Sequence, residues 1–171
     1  MLKELISTAQ LRHRVAELGD EITNDYRNET DLVLLCILKG SIYFTTDLSR
    51  AIRVDHELEF LQVSSYGNEK VSSNEIKFVT ELGDMTGKSV IIIEDIVDTG
   101  QTIQKVVEYV KSKNAKSVEV CTCLYKPSKD VVKNPLKYVG FEVDNLFIVG
   151  YGLDLEQKKR NISNIRYFVE D

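Results

Sequence analysis

Apolar and polar positions follow two rhythms along this chain, and they alternate. Leu32 to Leu38 (LVLLCIL) and Val90 to Ile93 (VIII) are unbroken apolar runs. Such runs suit strands buried on both faces of a parallel sheet. Each is followed by apolar residues at helical spacing: Ile42, Leu48 and Ile52 after the first, and Ile103, Val106, Val107 and Val110 after the second. An earlier stripe, Leu11, Val15, Leu18 and Ile22, predicts a helix to about Tyr26, opened by a capping box of Ser7 and Gln10. His56 to Ser65 and Glu75 to Leu82 read as two strands of a long hairpin, with the polar stretch Asn68 to Asn74 as its flexible tip. Met85 to Lys88 is a turn, and Asn114 is a helix-stop signal. Ser117 to Tyr125 is a strand with Val118, Val120, Thr122 and Leu124 on one face and Cys121 and Cys123 on the other. After a loop from Ser128 to Lys137 come short strands at Tyr138 to Phe141 and Leu146 to Val149, then an edge strand at Ile165 to Val169. Alternating strands and helices predict a single α/β domain: a parallel sheet with helices on both faces, and a small hood from the terminal part.

Composition narrows the function classes. The chain has 171 residues, 43% apolar and 29% charged, enough for one domain with a substantial core. A net charge of −5 argues against broad nucleic-acid binding. No signal-peptide pattern and no membrane-length apolar run is present, so a cytoplasmic location and no membrane partner are expected. Cys36, Cys121 and Cys123 are odd in number, lack zinc-ligand spacing and sit in expected strands; they read as buried thiols. His13 lies among polar neighbours in the first helix and reads as a solvated or packing residue rather than a metal ligand.

Chemistry concentrates in Ser89 to Thr102, SVIIIEDIVDTGQT. Glu94 and Asp95 follow the apolar run where the strand should emerge, and Asp98 opens the loop Asp98-Thr99-Gly100-Gln101-Thr102 before the helix. Unpaired N–H groups at a helix start, with Gly100 allowing close approach and Thr99 and Thr102 adding hydroxyls, cradle a phosphate. Carboxylates beside that cradle repel a bare phosphate, so the ligand must also offer hydroxyls or a divalent cation. A sugar phosphate with magnesium meets both demands. Ordinary capping by Asp98 and Thr99 would account for one acid, but not for three at a strand end. Lys39 ends the other apolar run before Gly40-Ser41; alone it is as readily a surface charge as a ligand. Lys126 likewise ends a strand, and Phe147 alone reads as core.

EDIVDTGQT resembles the phosphoribosyl-diphosphate (PRPP) motif of the type I phosphoribosyltransferases, in the form of the hypoxanthine-guanine branch. LKGS, SSYG and FIVGYGLD resemble further motifs of that family, in its order, so the resemblance spans roughly residues 32–160. It implies the type I phosphoribosyltransferase fold, with a core at about 8–125 and a hood from about 126–171 plus N-terminal residues. It also implies a Mg2+-dependent purine salvage enzyme that joins hypoxanthine or guanine to PRPP, giving a nucleoside monophosphate and diphosphate. Under it, Asp98 to Thr102 bind the 5′-phosphate, with Asp98 also the general base at purine N7. Glu94 and Asp95 hold the ribose hydroxyls and, with Asp154, the metal. Lys39, Gly40 and Arg160 bind diphosphate, and the peptide before Lys39 is typically cis. Ser65 and Tyr66 belong to a mobile loop that closes over the site. Lys126 reads the purine 6-oxo group, Phe147 stacks on the base and the Ile148 backbone bonds its edge. The family is usually dimeric or tetrameric.

Leu155, Lys158-Lys159 and Tyr125 depart from the family pattern at positions that bear on the choice of base. Two other classes fare worse. A PRPP-binding regulator of the same fold needs an appended DNA-binding domain or a basic face, which a single N-terminal helix and a negative net charge do not offer. Other phosphate enzymes fail on spacing: no Lys follows Gly100, no G-x-G-x-x-G follows a strand, and Asp95 and Asp98 are wrongly spaced for an aspartyl-phosphate motif.

Overall fold

The structure, a computed structural model, describes residues 1–65, 75–127 and 135–169. In chain order the elements are β1 (Leu2–Ile6), α1 (Thr8–Asp25), β2 (Leu32–Leu38), α2 (Ile42–Ala51), β3 (His56–Ser65), β4 (Ile76–Phe78), β5 (Ser89–Val97), α3 (Gln101–Ser112), β6 (Ser117–Tyr125), β7 (Tyr138–Glu142), β8 (Ile148–Val149) and β9 (Ile165–Phe168). A six-stranded sheet runs β4-β3-β2-β5-β6-β7, parallel throughout except for the β3–β4 pair.

The apolar runs are explained by the pleat. Along β2 and β5, Leu34, Ile91 and Ile93 pack with α1 and α2 through Leu11, Val15, Leu18, Phe44 and Leu48. Their neighbours Val33, Leu35, Val90 and Ile92 pack on the other face with Ile103, Val106, Val107 and Val110 of α3. Both faces are covered, so neither strand has a polar side to show. The capping box forms as expected, Ser7 Oγ accepting from Gln10 N–H. The cysteines are buried and unpaired, and His13 is solvated, 80% exposed beside Glu17.

Several expectations change. The second hairpin strand is only Ile76–Phe78 rather than Glu75 to Leu82. Beyond it the Thr80 hydroxyl takes the Gln62 N–H, and Leu82 is drawn into the core with its own N–H on the Tyr109 hydroxyl. The stretch Asn68 to Asn74 lies outside the described residues, as does most of the loop after Ser128. Leu124 packs with Cys121 and Cys123 rather than with Val118 and Val120. There the Thr122 hydroxyl donates back to the Leu124 carbonyl. The main sheet also runs past the expected core boundary near 125, because Tyr138–Glu142 pairs with β6.

The hood is the three-stranded sheet β1-β9-β8. β9 is its central strand, not an edge, because β1 covers its free side with Leu2 opposite Phe168. The pattern of LKELI, exposed at Lys3 and Glu4, gives no sign of β1.

Candidate active site

Two strand–loop–helix units open onto one cleft at the carboxyl ends of β2 and β5. In the first, the Leu38–Lys39 peptide is cis, and Ser41 caps α2 without a side-chain bond to the helix N–H groups. Its hydroxyl points back instead, donating to the Ile37 carbonyl at 2.7 Å. In the second, the N-cap of α3 is Gly100 at φ 80°, again without a side-chain cap. Neither Asp98 nor Thr99 is the cap. Neither N-cap residue bonds the helix N–H groups through its side chain. At α3 only a long 3.4 Å bond from Gln101 N–H to the Thr99 hydroxyl is made, which leaves N–H groups for an anion.

A cradle of about 140 Å³ is lined by Asp98, Thr99, Gly100, Gln101 and Thr102 together with Glu94. A neighbouring cavity of about 320 Å³ is lined by Gly40, Glu94, Asp95, Asp154 and Arg160. Glu94, Ile96 and Thr102 line both, so the two form one cleft.

The acids lie inside β5 rather than after it. The ladder with β6 continues through Glu94 opposite Thr122 and Val97 opposite Tyr125. Glu94 is 8% exposed, and burial, with the Asp95 charge second, holds its carboxyl well above the usual range. Burial also raises Asp95, which is half-buried at the cleft wall. Their bonds are local: Glu94 Oε1 accepts from Asp95 N–H and Asp95 Oδ1 from Ile96 N–H. Among the described residues neither acid is in an ion pair. Gly40 stands directly against the Asp95 carboxylate, where any Cβ would collide with it.

The hood supplies the opposite wall. Arg160 donates to the Gly152 carbonyl at 2.7 Å and to Gln157 Oε1 at 3.0 Å, and lies 3.3 Å from Asp154. Lys39 Nζ donates to the same Gln157 oxygen at 3.2 Å. Sequence reasoning missed Gln157. It reaches this place through a tight turn in which Glu156 and Gln157 take φ 50° and 66°, between the paired Leu155 and Lys158. Two glutamines in polar loops look alike in sequence, and only this left-handed turn singles one out.

On the third side, Lys126 N–H bonds the Val97 carbonyl at the end of β5, and its Nζ donates to the Leu146 carbonyl at 2.7 Å. Phe147 is 56% exposed, leaning on Phe168; it is not core. Ile148 is buried and pairs with Tyr167 in β8–β9. These residues lie outside the lining of the two cavities. Ser65 ends β3, and Tyr66 lies outside the described residues. A separate cavity of about 540 Å³, between α1, α2 and residues 160–163, shares Arg160 with this site.

The phosphoribosyl transferase domain family matches residues 3–156. The chain belongs to that family. It is 40% identical over 163 residues to hypoxanthine phosphoribosyltransferase of Escherichia coli K12, covering 94% of this chain and 92% of that one. It is 42% identical over 167 residues to hypoxanthine-guanine phosphoribosyltransferase of Mycobacterium tuberculosis H37Rv, covering 94% and 83%. Among solved structures, a hypoxanthine-guanine phosphoribosyltransferase from Bacillus anthracis superposes with a TM-score of 0.90 at 38% identity, covering 98% of each chain.

In this phosphoribosyl transferase the fold brings Gly40, Glu94, Asp95, Asp154, Arg160 and the 98–102 loop to one cleft, with Lys39 bonded beside it to the Gln157 oxygen that also receives Arg160. Among the described residues no three His, Cys, Asp or Glu side chains converge on a single metal position. Glu94, Asp95 and Asp154 line the same cavity instead. That suits a hard cation such as Mg2+, which keeps waters and takes one or two carboxylates plus substrate phosphates. No helix among the described residues is long and apolar enough to cross a membrane.

Proposed function

We propose that this phosphoribosyl transferase moves the 5-phosphoribosyl group of PRPP onto hypoxanthine, guanine or both, giving IMP or GMP and diphosphate. The observation that carries the reading is an acid pair in the cleft, in no ion pair among the described residues, set between two helix starts whose N-cap residues make no side-chain cap. One anion cradle on each side of a pair of hydroxyl acceptors matches a sugar with a phosphate at one end and a diphosphate at the other.

The roles follow from the chemistry. The loop Asp98 to Thr102 grips the 5′-phosphate, which does not react and anchors the sugar. Glu94 and Asp95 accept the ribose hydroxyls and favour the positive charge that develops at C1′. The bond from C1′ to diphosphate breaks as purine N9 forms the new bond, and the purine N7 proton passes to Asp98. Lys39, the Gly40 backbone and Arg160 hold the departing diphosphate. Mg2+ held by Asp154, or by Glu94 and Asp95, would supply charge neutralisation there. Lys126 donates to the 6-oxo group, Phe147 stacks on the base, and the Ile148 backbone meets its edge. Ser65 and Tyr66 belong to the loop that keeps water from C1′.

Diphosphate release with PRPP and Mg2+, with hypoxanthine, guanine, xanthine and adenine offered separately, tests this. Turnover is expected with 6-oxopurines and not with adenine, and Asp98→Asn is expected to lower kcat by roughly 10²–10⁴-fold. No turnover, with PRPP or nucleotide still bound, would overturn the enzyme reading.

A further inference from the structure

Besides the Lys39–Gln157 bond, the hood touches the diphosphate side of the cleft through one backbone contact and one further side-chain bond. The backbone contact is Gly152 on Gly40: Gly152 has φ 99° and lies so close to the Gly40 carbonyl that a Cβ would overlap it. Gly152 also offers the carbonyl that receives Arg160. The side-chain bond comes from the preceding residue. Tyr151, at φ 49°, sends its hydroxyl to Asp47 Oδ2 on α2 at 2.5 Å. Asp47 lies in the second turn of the helix that begins just after Gly40, so both contacts fall on one rigid unit.

The Tyr151 ring is 9% exposed, and both it and Asp47 border the 540 Å³ cavity between α1 and α2. The ring packs in the core on its other side, and the hydrogen bond to Asp47 fixes its hydroxyl end beside the cavity. Arg160 lines the same cavity and the catalytic cleft. A shift of Tyr151 would carry Gly152, and with it the guanidinium that Gly152 orients.

We propose that Asp47 and Tyr151 are positioning residues, whose bond between α2 and the hood sets Arg160 and Asp154 against Lys39 and Gly40 for the diphosphate end of the substrate. The inference rests on the assignment of that wall to diphosphate. Loss of the bond should be felt by PRPP and not by the purine.

The test is steady-state kinetics of the full chain with both substrates varied, alongside thermal midpoints. Tyr151→Phe and Asp47→Ala are each expected to raise KM for PRPP by about tenfold, with kcat and purine KM within about threefold of the parent. Asp47→Asn keeps an acceptor oxygen and should restore most of the PRPP KM. The double variant Tyr151→Phe/Asp47→Ala should be no worse than either single change. Equal losses in kcat and both KM values, additive single effects, or Asp47→Asn as damaged as Asp47→Ala would each reduce the pair to packing and overturn the proposal. Lys39→Ala and Arg160→Ala run in parallel. If they leave PRPP KM unchanged, the diphosphate assignment itself fails, whatever Tyr151→Phe does.

Discussion

The two ends of β5 carry carboxylates in opposite conditions. At its amino end the Ser89 hydroxyl donates to Glu29 at 2.7 Å, and Glu29 also receives Lys116 Nζ and the N–H groups of Thr30 and Asp31. With those partners its pKa drops to about 2. Near its carboxyl end the buried Glu94 and half-buried Asp95 stand side by side, and desolvation pushes both up. One strand thus begins at a carboxylate held by a lysine and three further donors and runs into two that accept only from neighbouring backbone N–H groups. A buried carboxylate without a partner is costly to hold. Its retention makes sense where hydroxyls or a cation arrive from outside, so carboxylates in no ion pair mark the site better than the charge density does.

The sharpest way to break that contrast is to neutralise each end in turn. Glu94→Gln removes a carboxylate needed only when substrate is bound. Its kcat/KM should fall by roughly 10²–10³-fold, while the thermal midpoint holds or rises, by up to about 4 °C. A midpoint that falls along with activity would show that Glu94 is structural, and the contrast would be lost.

A smaller effect is expected at the phosphate loop, where the attraction comes from backbone N–H groups rather than from a counter-charge. Gly100 holds φ 80° at the start of α3. Gly100→Ala puts a Cβ into that left-handed conformation at about 1 kcal/mol, or about 2–4 °C of thermal midpoint. It should weaken nucleoside monophosphate binding about tenfold by calorimetry. Unchanged affinity would move the 5′-phosphate elsewhere.

The same strand shows how far sequence carries. The extents of β2, β3 and β6 were legible to the residue: β2 because a doubly buried strand must be apolar throughout and its polar neighbours stop it, β3 and β6 because apolar and β-branched residues recur along them between loop residues. The positions of Glu94 and Asp95 within the strand were not. They continue the ladder because β6 lies alongside, and a partner strand leaves no mark on the residues it pairs with. β1 was illegible for the same reason: LKELI has no strong periodicity, and only β9 makes it a strand. Phe147 alone looked like core because large aromatics usually are, yet it is exposed beside Phe168. Motif residues such as Lys39 and Arg160 could be named in advance, but the Gln157 oxygen between them depends on a local turn.

The gentlest probe is Glu29→Gln at the amino end of β5, where activity should not change. The folded pKa of Glu29 is lowered from 4.5 to about 2. The unfolded chain therefore takes up the proton first as pH falls. The stability this carboxylate contributes is fully present above its unfolded value, and is lost as pH falls through the folded one. The thermal midpoint of the parent should exceed that of Glu29→Gln at neutral pH. The gap should narrow from about pH 5 downward and close near pH 2. Other carboxylates protonate over the same range, but they do so in both proteins, so the difference between the two isolates Glu29. A gap that stays constant with pH would mean that Ser89 and Lys116 gain nothing from the charge. Glu29 would then be no better satisfied than Glu94, and the two ends of the strand would not differ in the way proposed.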